Sequence, residues 1–77
     1  MKRSLVVDRD NDYSNEEIRI IQQTLDKKTK GIFVYRDVLK SGEIAICAIA
    51  DILFSYTQVC NMVGEAYIEG VSGEHSL

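Results

Sequence analysis

The sequence predicts a small all-α domain: a bundle of three or four helices over about 15–30, 33–40, 43–54 and 57–69, with a short N-terminal strand allowed. Three observations predict it. The 77 residues include no proline, so long stretches are free to coil. Ser14 opens a segment with a full set of helix-start signals. Residues 43–54, EIAICAIADILF, carry ten apolar side chains in twelve positions. That run is longer than most strands, and Ala45, Ala48 and Ala50 favour a helix at the centre of a bundle.

Length bounds the organisation. The chain is read as a single domain, 1–77, with room for one core. Its 45% apolar and 27% charged residues are the balance of a globular protein. Residues 1–13 read as an N-terminal arm or strand plus an acidic loop, and residues 71–77 as a flexible polar tail.

Ser4 to Val7 is a short apolar run. The loop after it, with Asp8, Asp10 and Asp12 alternating, has the opening spacing of a calcium loop. Tyr13 then stands where such a loop needs glycine, and Arg19 where it needs a bidentate Glu. The segment reads as a solvated acidic loop, and no metal is expected.

For the first helix, Ser14 and Glu17 form a capping box, and Tyr13 and Ile18 a hydrophobic staple. Glu16 and Glu17 suit the positive end of the helix dipole. Ile18, Ile21 and Leu25 make one apolar stripe. Asp26 is spaced to pair with Lys30. Lys27, Lys28 and Lys30 suit the negative end, and Gly31 supplies the stop.

Residues 32–39, IFVYRDVL, admit two readings. Their β-branched and aromatic side chains suit a strand, yet Ile32, Tyr35 and Leu39 share a helical face. A helix over 33–40 is the reading taken. The alternative is an α+β fold in which strands 4–7 and 32–36 form a minimal parallel β-α-β pair, a poor sheet on its own. Ser41 and Gly42 break the chain before 43–54, where Asp51 is expected at the rim. Ser55 or Thr57 caps the last helix, whose stripe is Val59, Met62, Val63 and Ala66. Gly64 inside it is about 1 kcal/mol less favourable than Ala, a disadvantage that close approach of another backbone would explain.

Charge is polarised. The net charge is −3, and all nine Lys and Arg lie within residues 1–40. Residues 41–77 carry five acids and no Lys or Arg. This weighs against DNA. Helix, turn and helix across 43–69 would have helix-turn-helix geometry, with Gln58 and Asn61 able to face bases. That second helix has no cation to neutralise phosphate. A helix-turn-helix transcriptional regulator is therefore the alternative, and nucleic acid an unlikely partner.

Catalysis is not expected. His75, the one histidine, stands in the expected tail, and Cys47 and Cys60 sit in apolar surroundings that raise a thiol pKa. No glycine-rich phosphate loop occurs, and Cys47, Cys60 and His75 lack zinc-motif spacing. No cofactor is expected. The two cysteines and a start too short in apolar residues for a signal peptide suggest a reducing cytoplasmic compartment. The apolar run is too short for a span, and no membrane partner is expected.

Recognition of another macromolecule remains. The expectation is a small non-enzymatic interaction or regulatory protein, an inhibitor or adaptor of a nucleic-acid enzyme in its narrower form. It would bind a protein partner, self-associate as a homodimer, or both. The candidate contact residues are Tyr56, Gln58, Asn61, Glu65, Tyr67 and Glu69, because this cation-free helix still carries aromatic and polar groups.

Overall fold

The computed structural model describes residues 1–73. In order, the elements are β1 (Lys2–Asp8), α1 (Asn15–Lys28), β2 (Ile32–Val38), β3 (Ile44–Asp51) and α2 (Tyr56–Ala66), which continues as a π-helical segment, Tyr67–Ser72. The strands form one sheet in the order β1-β3-β2, and β3 is antiparallel to both neighbours. β1 and β2 therefore run parallel, joined through α1, with the third strand inserted between them. This is a split β-α-β arrangement, and the class is α+β.

The all-α expectation is overturned at two segments. Residues 33–38 belong to strand β2 where a helix over 33–40 was expected, and residues 43–54 hold strand β3 and the turn after it. In β2 the side chains alternate: Ile32 and Val34 are buried beneath the helices, while Phe33 is exposed on the other face. β3 shows no such alternation, because Ala45 and Cys47 on its second face are as buried as Ile46, Ala48 and Ala50 on the first. A strand covered on both faces is apolar throughout, and such a run cannot be told from a buried helix by periodicity. The β-α-β alternative also fails as drawn, since β3 separates the two strands it would have paired. With β3 a strand, the helix-turn-helix across 43–69 loses its first helix.

The helical segments follow their caps. At α1, Glu17 N–H donates to Ser14 Oγ at 3.1 Å and Ser14 N–H to Glu17 Oε1 at 2.9 Å, which satisfies two otherwise orphaned donors. Asp26 accepts from Gln22 at 2.9 Å where a pairing with Lys30 was expected. α2 starts the same way, with Ser55 and Gln58 as its capping box.

Both helices cover one sheet face, α1 against β2 and α2 against β1. The Cα extents of 37 × 29 × 17 Å are those of a slab two layers thick. Between the layers lie Ile21, Leu25, Ile32, Val34, Ile46, Ala48, Ala50, Val59 and Val63, with Leu5 and Val7 at the β1 side. Each large aliphatic side chain fully buried contributes roughly 1.5–3 kcal/mol.

Val71, assigned to a flexible tail by the sequence, is 3% exposed and belongs to this core through the π-helical segment. Ser72 ends that segment and Gly73 is its C-terminal cap; the last four residues of the expected tail, with His75, lie outside the described residues.

Candidate functional site

The six residues expected at a contact surface have different fates. Gln58 is committed to capping: its Oε1 accepts the Ser55 N–H at 2.8 Å. Tyr67 packs edge-on against Tyr13, with ring centroids 5.4 Å apart. Glu69 is ion-paired with Lys28 of α1. The Tyr56 hydroxyl donates to the Val6 carbonyl at 3.0 Å, and Cys60, one turn on, holds its phenol above the ordinary value. Asn61 and Glu65 are exposed and remain available.

Between Asn61 and Glu65 lies Gly64, itself exposed. A Cβ built on it would meet nothing within 4 Å. Ile68, one turn further along, is exposed as well. The outward side of α2 is therefore a strip of Asn61, Gly64, Glu65 and Ile68, without a cation.

The sheet offers less than its open side suggests. Tyr35 stands opposite Cys47 and Ser4 opposite Ile49, yet the Tyr35 hydroxyl hydrogen-bonds the Ser4 hydroxyl on the far strand. The Tyr35 side chain must therefore cross β3. This accounts for Cys47 being 2% exposed on a face that no helix covers. Burial, followed by the charge of Asp37, raises the Cys47 thiol above its usual value, which suppresses the reactive thiolate.

Both sheet edges are also engaged. On β2, Gln22 bonds the backbone at Ile32 and Val34. On β1, Tyr56 takes the Val6 carbonyl, and the register shifts between Val6 and Asp8 as a bulge. Blunted, bulged edges discourage addition of another strand.

In the acidic loop, Asp8 accepts from Asp10 N–H, Asn11 Nδ2 and the Tyr13 hydroxyl, and Asp12 pairs with Arg36 at 2.8 Å. These carboxylates are used internally. Among the described residues no group of three or more His, Cys, Asp or Glu is placed to hold a metal ion, and no helix is long and apolar enough to cross a membrane.

Sequence reasoning missed Gln22, Tyr35 and the exposed pair Ile52 and Leu53. The first two act across strands that were read as helices. The last two were read as the inside of a helix and instead form the turn after β3. Compared with known protein families, curated proteins and solved structures, the chain matches none.

Proposed function

We propose that this is a small non-enzymatic interaction or regulatory protein that binds another protein through the outward strip of α2. Gly64 carries the reading. Glycine inside a helix is about 1 kcal/mol less favourable than alanine, and here the space for a methyl group is empty. Nothing among the described residues explains the missing side chain. A second backbone lying close across α2 would explain it.

The chemistry of the strip restricts the partner. Glu65 is its charged group, and α2 has no Lys or Arg, so a partner with cations around its contact surface is complementary. A nucleic-acid enzyme has such a surface, and inhibition or adaptation of one is the narrower form of the proposal. A symmetric pair of α2 helices would bring Glu65 towards its own copy, which disfavours the homodimer. The free thiols of Cys47 and Cys60 suit a reducing cytoplasm.

Gly64→Ala tests this directly. Alanine strengthens an isolated helix, so urea denaturation is expected to show a gain of up to about 1 kcal/mol. The same change is expected to weaken capture of the partner from a lysate of the source cell by about tenfold or more, the size of a lost close contact. A stabilised variant that captures the same proteins equally well would remove α2 as the contact surface.

A further inference from the structure

One end of the sheet gathers apolar and cationic side chains. β1 and β2 begin there and β3 ends there: Lys2 lies opposite Asp51, Ile32 opposite Ala50 and Phe33 opposite Ile49. α1 ends there too, because only Thr29, Lys30 and Gly31 separate it from β2. Lys2, Asp26, Phe33 and Ile49 line a single hollow at this end.

Large apolar side chains project from it. Leu53 is 88% exposed, Phe33 56% and Ile52 52%. Ile52 and Leu53 are presented by a braced turn. The Arg3 guanidinium donates to the Asp51 carbonyl at 3.1 Å and to the Phe54 carbonyl at 2.6 Å. Leu53 N–H donates to the Asp51 carboxylate at 2.9 Å, and Phe54 N–H to the Asp51 carbonyl at 3.0 Å. Turns of this kind ordinarily carry polar residues or glycine; here the apex is Ile-Leu.

Charge separates along the same axis. Lys2, Arg3, Lys27, Lys28 and Lys30 stand at this end against Asp26, Asp51, Glu69 and, one turn before it, Glu65. Asp8, Asp10, Asp12, Glu16, Glu17, Asp37 and Glu43 stand towards the other, against Arg9, Arg19, Arg36 and Lys40. The molecule is a charge dipole with an oily positive end.

We propose that this end docks peripherally on an anionic lipid bilayer, with Ile52, Leu53 and Phe33 entering the interface and Lys2, Lys27 and Lys30 lying against the headgroups. Aliphatic tips on a convex turn, flanked by long cationic side chains, match a boundary that is apolar beneath and anionic above. The acidic end would be repelled by the same surface, which fixes the orientation. Single-stranded nucleic acid is less well matched, since of the three tips only Phe33 offers a ring for bases to stack on. No spanning segment is required, and the docking does not depend on the α2 strip.

The test uses vesicles of phosphatidylcholine alone and with about 30% phosphatidylserine, near the anionic content of a cytoplasmic leaflet. Sedimentation of the protein with the anionic vesicles is expected, weakening as salt is raised. Ile52→Ser with Leu53→Ser, both exposed positions, and separately Lys27→Gln with Lys30→Gln, are each expected to reduce binding by about tenfold. An unchanged circular dichroism spectrum and melting temperature would show that each variant still folds. A Leu53→Trp variant is expected to shift its emission to the blue on anionic vesicles only. Absence of sedimentation at low salt, binding that survives the Ile52 and Leu53 changes, or preferential binding of an oligonucleotide by the same lysines would each overturn the proposal.

Discussion

The side-chain amide of Gln22 pairs with the backbone of Val34 as a neighbouring strand would. Its Oε1 accepts the Val34 N–H at 2.8 Å, while its Nε2 donates to the Ile32 carbonyl at 3.0 Å. Val34 and Ile32 are each only 3% exposed, and buried peptide groups without partners are strongly disfavoured. One amide from α1 thus ties the helix layer to the sheet and occupies the edge of β2.

Gln22→Ala should destabilise the fold by about 1–3 kcal/mol, the range for leaving a buried donor and acceptor unmatched. The better helix propensity of alanine offsets only a few tenths of that. Urea denaturation measures the loss. The freed β2 edge should also promote association at high concentration, visible by light scattering, because an unpaired edge accepts another strand. A variant as stable as the parent would show that Gln22 contributes little to the edge.

Tyr35 acts on Cys47 as a cover. Tyr35→Ala should expose that thiol, and its reaction with a thiol reagent in the folded protein should accelerate by about tenfold or more, since access and thiolate fraction both rise. A Cys60→Ser background isolates the signal. Tyr35→Phe retains the ring and loses the hydroxyl's bonds to Ser4 and to the Cys47 thiol, so the cover stays in place and the rate should remain close to that of the parent. Equal protection of Cys47 in Tyr35→Ala would refute the covering role.

The acidic loop sets part of the response to pH. Burial alone would push the Asp8 carboxyl up, but hydrogen bonds from Asp10 N–H, Asn11 and Tyr13 outweigh it and hold the group below its ordinary value of 3.8. A depressed folded-state pKa stabilises the protein above the unfolded value, and this contribution is lost as pH falls through the folded one. Asp8→Asn should therefore be less stable than the parent near neutrality, and the difference should shrink between about pH 5 and pH 2. Urea midpoints across that range test the sign; a gap that widens in acid would contradict it.

How legible the fold was depended on whether a segment's structure is decided locally. The start of α1 was written in Ser14 and Glu17, two residues that satisfy each other's backbone without help from elsewhere. β3 was misread because its uniform apolarity is imposed by distant partners: the helices cover Ile46, Ala48 and Ala50, and the Tyr35 side chain reaches over from β2. Three alanines then favoured a helix that tertiary pairing overrides. In the candidate site, Asn61 and Glu65 were readable as outward helix positions. Gln58 was not, since a glutamine three residues after Ser55 serves equally as cap or contact. The Ile52 and Leu53 pair became visible only once the strand ended at Asp51.

Two glycines within one continuous helical stretch should respond to alanine with opposite signs. A Cβ on Gly70 would stand 2.5 Å from Thr24 Oγ1 and 2.8 Å from Ile20 Cγ2. Neither neighbour yields easily: both side chains are β-branched, and the Thr24 hydroxyl is held by its bond to the Ile20 carbonyl at 2.9 Å. The widened π-helical turn lays Gly70 on α1 and places Val71 in the core, so a methyl group would push that turn away from α1. Gly70→Ala should lose about 1–3 kcal/mol, the usual penalty of overpacking, and melt lower by about 4–8 °C for each kcal/mol lost. Gly64→Ala, with empty space around its Cβ, should be neutral or stabilising by the same assays. Equal losses from both substitutions would mean that helix propensity and backbone entropy are not what separates the two sites, and that α2 does not lie on α1 as described.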